Sequence, residues 1–233
     1  MDSGCVYILG TCDTKHAELD YIARLLRESD VTPRIVDIST REHAAPADVS
    51  ARSVAGFHPG GQKAVFTGDR GRSIGAMAEA LRLYLGARTD MLGVIAIGGS
   101  GGTALVAPAM QALPLGLPKL IVSTIASGNT APYVGGTDIA MLYSVTDMEG
   151  LNRLSRIILC NAAHAMTGMV RMKCVPQPDP RPVIGLTMFG VTTPCVDRIV
   201  HQLSPQFDCL VFHATGTGGR AMERLADEGM IRG

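Results

Sequence analysis

Short apolar segments alternate with longer amphipathic segments along most of the chain. Strands are predicted at residues 6–9, 34–38, 64–67, 93–97, 120–123 and 140–143. Helices are predicted at residues 14–29, 74–85, 103–112 and 151–169, and residues 40–61 predict a loop with one short helix. Alternating strands and helices are typical of a parallel sheet with crossover helices. The predicted fold class is therefore α/β, a Rossmann-like parallel sheet with flanking helices.

A proline-rich segment then interrupts this pattern. Residues 176–182 contain four prolines, which excludes a helix or a central strand and predicts a stiff linker. Strands at 183–188 and 209–213 and helices at 195–203 and 220–228 follow it. We therefore predict a first nucleotide-binding subdomain at 1–175, a linker at 176–182 and a partial second α/β subdomain at 183–233.

The second subdomain has too few elements to be complete. Two strands and two helices do not form a self-sufficient doubly wound sheet, and they leave a bare strand edge. Either the chain is cut short, or a separate chain completes this second, incomplete Rossmann-like subdomain.

Charge and composition exclude several classes of partner. The 21 basic and 21 acidic residues balance, aromatic residues make up 4%, and there is no Trp. Direct nucleic-acid binding is not expected, because it needs a basic face or a stacking platform. No segment approaches the roughly 20 apolar residues of a membrane span, and the chain does not open with a secretory signal. The six cysteines lack the short spacing of a metal site, so we expect reduced thiols, no metal site and a cytoplasmic location.

A glycine-rich turn follows the predicted central strand and opens the next helix. Its residues are Gly98, Gly99, Ser100, Gly101, Gly102 and Thr103. Consecutive amides at a helix N-terminus favour an anion, and the two hydroxyl groups add donors. The turn matches neither the Walker A loop nor the dinucleotide fingerprint. It predicts a phosphate-binding site, with tight helix–sheet packing as the alternative.

Two further turns follow predicted strands and contain polar groups. The first contains Gly10, Thr11, Asp13, Thr14 and Lys15, where the Lys15 ammonium could meet phosphate. The alternative for this turn is a plain helix N-cap, at Asp13 or Thr14, followed by a solvated lysine.

The other turn contains Ser127, Gly128 and Asn129, at the end of a predicted strand. These small polar residues favour contact with the remainder of a ligand. A loop that satisfies its own backbone is the alternative.

Several charged residues follow the ends of predicted strands. Asp37 ends the second strand, where an acid either meets a ribose or caps the turn that follows. Asp69 and Arg70 are interpreted as a surface turn rather than as charges at the site. Asp147 and Glu149 form no evident catalytic pair. Catalytic residues therefore remain unassigned.

The turns in their order along the chain resemble one known family. The matching segments are Gly10-Thr-Cys-Asp-Thr-Lys15, Ile97-Gly-Gly-Ser-Gly-Gly-Thr103, Pro118-Lys-Leu-Ile-Val-Ser-Thr124, Ala126-Ser-Gly-Asn129, Tyr143-Ser-Val-Thr-Asp147 and Leu151-Asn-Arg153. They resemble the tomato mosaic virus resistance protein family, which has an ATP-binding domain. The resemblance implies two Rossmann-like subdomains and ATP near the glycine-rich turn and the Gly10 turn. It also implies a longer chain, and the plant member of the family binds a viral replication protein.

Three functions agree with these features. The first is ATP binding by a homo-oligomeric protein, with Mg2+ expected only as the companion of ATP. The second is an enzyme acting on a small phosphorylated or carboxylated metabolite through the same turns. The third is a protein-interaction module whose nucleotide is structural.

Overall fold

The computed structural model describes residues 4–172 and 178–233. The described residues form two compact units, one built from 4–134 and 138–172, the other from 135–137 and 178–233. Cys174 and the first two residues of the predicted linker lie outside the described residues. The predicted subdomain boundaries therefore stay a prediction.

A five-stranded parallel sheet forms the centre of the first unit. Its strands are β1 (Cys5–Gly10), β2 (Pro33–Asp37), β3 (Met91–Gly98), β4 (Lys119–Ser123) and β5 (Ala140–Tyr143). They lie in the order β2-β1-β3-β4-β5, and all neighbours are parallel. This confirms the predicted Rossmann-like class. The strand order reverses between β1 and β3, and open α/β sheets bind ligands at the carboxyl ends of strands at such a switch point.

Helices cover both faces of this sheet. They are α1 (Cys12–Glu28), α2 (Ala51–Ala55), α3 (Gln62–Val65), α4 (Arg70–Gly86), α5 (Ser100–Gln111), α6 (Ala131–Val134) and α7 (Arg153–Arg171). Successive side chains of a strand point to opposite faces. Val6 and Ile8 of β1 therefore pack in one core with residues of α1 and α7, while Tyr7 and Leu9 pack in another with residues of α4 and α5. All four side chains are fully buried, as expected for a strand covered on both faces.

One predicted strand is wrong. Residues 64–67 lie in and just after the short helix α3, which begins beyond Gly61 at φ 65°. The Gln62 side-chain amide donates to the Arg52 carbonyl at 3.0 Å, and Val65 is completely buried in the core. The apolar segment therefore forms a short helix that packs the Val65 side chain into the core. This packing outweighs the strand propensity of Val65 and Phe66.

The second unit contains a two-stranded parallel sheet. Its elements are β6 (Val183–Met188), α8 (Thr193–Leu203), β7 (Asp208–His213) and α9 (Thr217–Asp227), with a 3-10 turn at Gly190–Thr192 before α8. This confirms the predicted start of a second α/β subdomain. Among its described apolar side chains, only Val196 and Leu225 are buried, and Phe189 and Val191 are exposed. No helix in the described part of the chain is long and apolar enough to cross a membrane.

A partly buried polar network lies at the amino ends of β1, β2 and β3. The fully buried Tyr7 donates its hydroxyl proton to Asp90 at 2.7 Å, and the Arg34 guanidinium pairs with Asp90 at 2.6 Å. The hydrogen bond from Tyr7 and the charge of Arg34 lower the pKa of Asp90 below its usual 3.8, although burial opposes them. Burial raises the pKa of the neighbouring Cys5 thiol to about 11. The network therefore lies at the opposite end of the sheet from the carboxyl ends of the strands, where open α/β sheets bind ligands.

Replacing Tyr7 by phenylalanine should reduce the pH dependence of stability. A carboxyl group with a lowered pKa stabilises the fold above its unfolded pKa, and that contribution is lost as the pH falls through the folded value. Losing the hydroxyl group should cost about 1 kcal/mol at about pH 7 and less at about pH 3. Urea unfolding at both pH values measures this difference. An equal cost at both would show that Tyr7 does not stabilise the Asp90 carboxylate.

Candidate functional site

A cleft of about 560 Å3 lies beside the carboxyl ends of β1 and β3. Nine of the predicted site residues line it: Thr11, Asp13, Thr14, Lys15, Gly98, Gly99, Ser100, Gly101 and Gly102. The glycine-rich turn and the turn after β1 are far apart in sequence, and the parallel pairing of β1 with β3 brings them together.

Helix α5 begins within the glycine-rich turn. Gly99 is its N-cap residue and offers no side-chain cap. The first amides of a helix have no partner inside the helix, so they are donors for a ligand or for water. The turn therefore presents amides and the positive end of a helix dipole to the cleft.

The glycines of this turn differ in what the fold requires of them. A Cβ atom at Gly98 would lie 2.8 Å from the backbone of Gly102 and of Thr103, so Gly98 is needed for close helix–strand packing. At Gly99, Gly101 and Gly102 the nearest atoms would lie at 3.6 to 3.7 Å, an ordinary contact. None of the four has a positive φ. Packing thus explains Gly98 and leaves the other three glycines without a structural requirement.

The turn after β1 is organised differently from the prediction. Thr11, rather than Asp13 or Thr14, is the N-cap of α1, and it makes no side-chain cap bond. The Thr11 carbonyl accepts from the amides of Thr14 and Lys15, and α1 begins at Cys12, two residues before the predicted start at residue 14. Lys15 has non-helical angles and kinks the helix. Its ammonium donates to the Met148 carbonyl, so Lys15 is not a merely solvated lysine.

Asp37 stabilises the turn after β1 through hydrogen bonds to backbone amides. Its buried carboxylate accepts from the amides of Cys12 at 3.0 Å and Ser39 at 2.9 Å, and it pairs with His43 at 2.8 Å. Both oxygens are therefore occupied by the protein, which favours the capping role over contact with a ribose. Burial, with Asp37 adding to it, raises the pKa of the Cys12 thiol to about 12, which disfavours the reactive thiolate form.

Five predicted residues do not line the cleft. Gly10 is buried at the end of β1, and Thr103 is buried with its hydroxyl group 2.6 Å from that of Ser123. Ser127, Gly128 and Asn129 are exposed after β4. There the Gly128 amide donates to a backbone carbonyl at 3.0 Å, and the Asn129 side chain accepts from the Ala131 amide at 3.2 Å. This loop satisfies its own backbone, as its alternative interpretation predicts.

Sequence reasoning missed eight lining residues: Thr40, Arg41, Arg70, Ile74, Leu105, Asp147, Met148 and Glu149. Asp69 and Arg70 are both exposed, in agreement with their interpretation as a surface turn, and Asp69 caps α4 by accepting from the Arg72 amide at 2.8 Å. Arg70 lines the cleft, and its guanidinium would lie 3.6 Å from a Cβ atom at Gly101. The available signal was a cation in the first turn of a helix, a position that the helix dipole disfavours unless an anion is near.

The charges around the cleft are balanced. Lys15, Arg41 and Arg70 are its cations, and Asp13, Asp147 and Glu149 are its anions. Among the residues that the structure describes, the guanidinium groups of Arg41 and Arg70 have no hydrogen-bonding or ion-pair partner. Within residues 4–172 and 178–233 no group of three or more His, Cys, Asp or Glu is placed to hold a metal ion. The formal charges of the lining therefore cancel, and its two arginine side chains are cations without a partner among the described residues.

The fold and the cleft define an α/β protein of the doubly wound class with a switch-point site. The chain belongs to the uncharacterised protein family UPF0261: its N-terminal domain model matches residues 4–174, and its C-terminal domain model matches residues 181–233.

Relatives occur in bacteria and in a plant. The chain is 53% identical to a UPF0261 protein of Mesorhizobium japonicum and 41% identical to one of Clostridium tetani, with 98% of the chain aligned in both cases. It spans 57% and 58% of those proteins, only somewhat more than half their length. The ToMV resistance protein Tm-1 of Solanum lycopersicum is 39% identical over 98% of this chain and 34% of its own length. The predicted resemblance to the tomato mosaic virus resistance protein family is thus confirmed only as this more distant similarity, and the family that the chain belongs to is UPF0261.

Proposed function

We propose that the cleft binds ATP through its phosphate groups. The observation that carries this proposal is that Gly101 lies close to the guanidinium of Arg70. The fold does not require a glycine at position 101, and the guanidinium has no partner among the described residues. Room for an anion, free helix amides and a cation meet at this point. Two positive helix ends, those of α4 and α5, add to the attraction.

Other side chains of the cleft could contact a second phosphate group and the Mg2+ ion of ATP. Lys15 lines the cleft from the turn after β1, and its ammonium supplies a compact charge for a second phosphate. Mg2+ would arrive with ATP, since the described residues form no metal cage and Mg2+ is commonly held by phosphates with one or two carboxylates. Asp13, Asp147 and Glu149 are the carboxylates available for that contact.

Thermal unfolding with Mg-ATP tests the proposal. A ligand that binds only the folded state raises the unfolding midpoint, and at a hundredfold excess over Kd the gain is about 2.7 kcal/mol. Replacing Gly101 by aspartate should abolish that rise, because the carboxylate would repel phosphate. The nearest atom to the new Cβ is 3.6 Å away, so this variant should fold.

Gly168→Asp is the matched control. Gly168 lies in α7, outside the cleft, and a Cβ atom there meets nothing within 4 Å. This variant should keep the full rise with Mg-ATP. Absence of a rise in the unmodified protein, or its survival in Gly101→Asp, would refute ATP binding at this turn.

An enzyme acting on a small phosphorylated metabolite is the second candidate. It is favoured by the apolar lining, which consists of Ile74, Leu105 and Met148 and offers no aromatic ring to stack on a base among the described residues. A rise of the unfolding midpoint with sugar phosphates but not with ATP or ADP would favour this candidate.

The second unit supports a proposal about assembly. Its exposed apolar side chains, which include Phe189, Val191 and Val211, favour completion of its two-stranded sheet by further polypeptide.

A further inference from the structure

One wall of the cleft is a loop that joins β5 to α7. We call residues 144–150 the 144–150 loop. It contributes Asp147, Met148 and Glu149 to the cleft that the glycine-rich turn also lines. It is the part of the lining that brings two carboxylates toward the place proposed for phosphate.

Helix α1 holds this loop at two points. The Lys15 ammonium donates to the Met148 carbonyl, and the Gly150 amide donates to the Glu18 carboxylate at 2.7 Å. Glu18 is 1% exposed, so its contact is fixed within the protein. Lys15 lies at the kink of α1 and also lines the cleft, so the same ammonium faces both the loop and the ligand space.

The loop is held in an unfavourable conformation. Val145 has φ 63°, a region that β-branched residues avoid because of clashes with the backbone. The buried hydroxyl oxygen of Thr146 has no hydrogen-bond partner among the described residues. Strained backbone and an unsatisfied polar atom persist only where neighbouring contacts impose them. The two contacts from α1 act together with others. The Ser144 amide donates to the Ser123 carbonyl at 3.1 Å, the Ser155 hydroxyl group donates to the Gly150 carbonyl at 3.4 Å, and Met148 is completely buried in the core.

We propose that Lys15 is a ligand-responsive clasp on the 144–150 loop, an inference that rests on the proposed function of the cleft. A phosphate oxygen is a stronger acceptor for an ammonium than a neutral carbonyl, because both partners of that bond are charged. A phosphate group that arrives without Mg2+ therefore draws Lys15 away from Met148 and repels Asp147 and Glu149, whereas Mg2+ would attract these two carboxylates. The Met148 end of the loop is released from α1, and occupation of the cleft is converted into movement of that part of its wall.

Amide hydrogen exchange of the ligand-free protein tests the clasp by itself. Lys15→Met should speed exchange in the peptide that covers the 144–150 loop by about tenfold, because the contact to Met148 is lost. Lys15→Arg, which keeps a cationic donor, should restore slow exchange. Lys63→Met is the matched control, since Lys63 is an exposed lysine of α3 outside the cleft. Unchanged exchange in Lys15→Met would overturn the proposal without any ligand.

The ligand arm separates the clasp from the proposed function. The probe is ATP in EDTA, because Mg2+ on the phosphates would attract the carboxylates that the free anion repels. With ATP, the unmodified protein should show the faster loop exchange of Lys15→Met, and Lys15→Met should show no further increase. A raised unfolding midpoint with unchanged loop exchange would refute the clasp and leave ATP binding intact. No rise in the midpoint and no change in exchange would refute ATP binding itself, and ligand-driven release with it.

Discussion

Replacing Asp138 by alanine is expected to cost about 3 kcal/mol of the free energy of unfolding. The reason is Lys119, whose side chain is fully buried at the start of β4. Its ammonium lies 2.7 Å from the Asp138 carboxylate and 2.6 Å from the Pro114 carbonyl. Without Asp138 a buried positive charge keeps one neutral acceptor and no counter-ion. Such an uncompensated charge is among the most costly changes in a protein core.

The opposite replacement should cost much less. In Lys119→Met the buried charge disappears and a side chain of similar length fills its space. Asp138 is left behind, but 42% of its side chain is exposed, so water can solvate the carboxylate. We expect a loss of about 1 kcal/mol. Urea unfolding, followed on the transition of the first unit, compares the two variants. Equal losses, or a greater loss in Lys119→Met, would contradict this account of the pair.

The pair should also make stability depend on pH. Burial acts to raise the pKa of Asp138, but the hydrogen bonds from Lys119 and from the Gly116 amide outweigh it, so the pKa lies below its usual 3.8. The stability that the ionised form contributes is therefore present at neutral pH and lost as the pH falls through the folded value. Asp138→Asn keeps an oxygen to accept from Gly116 but loses the charge. Its stability should lack this pH dependence.

The sequence predicted the parts of the site that depend on local pattern. The continuous apolar strand that became β3, its glycines and the helix after them are adjacent in the chain, so their order alone places the turn at a strand end. The same reasoning placed Lys15 after β1. Parallel pairing of the two strands then brings both turns to one edge, as the α/β class requires.

The rest of the site depends on contacts that no local pattern contains. Arg70 faces Gly101 because α4 packs beside α5, and Met148 meets Lys15 from a position 133 residues away. Asp37 has the pattern of a ligand contact, but its hydrogen bonds show a support for the turn. Residues 127–129 resemble a binding turn in composition, yet they are exposed and lie outside the cleft lining, although β4 before them ends beside Gly98. In each case the local sequence agrees with both a binding role and a structural role, and the tertiary contacts distinguish the two.

Gly98→Ala and Gly101→Ala should have opposite effects on stability, although both change the same turn. A methyl group at Gly98 would lie 2.8 Å from the backbone of Gly102 and of Thr103, so β3 and α5 must separate. We expect a loss of about 2 kcal/mol. At Gly101 the nearest atom would be a guanidinium nitrogen of Arg70 at 3.6 Å, and alanine favours the helix by up to about 1 kcal/mol.

The rise of the unfolding midpoint with Mg-ATP should show the reverse order, because it should be reduced in Gly101→Ala and kept in Gly98→Ala. The methyl group at Gly101 enters the space between the turn and Arg70, so Gly101→Ala should have an unchanged or higher unfolding midpoint and a reduced rise with Mg-ATP. Gly98→Ala should unfold at a lower temperature but keep a rise, because its methyl group points into the helix–strand contact. Calorimetry of both variants with and without Mg-ATP measures both quantities. If both variants lost stability and both kept the rise, the glycines would serve packing alone, and the turn would have no role in holding phosphate.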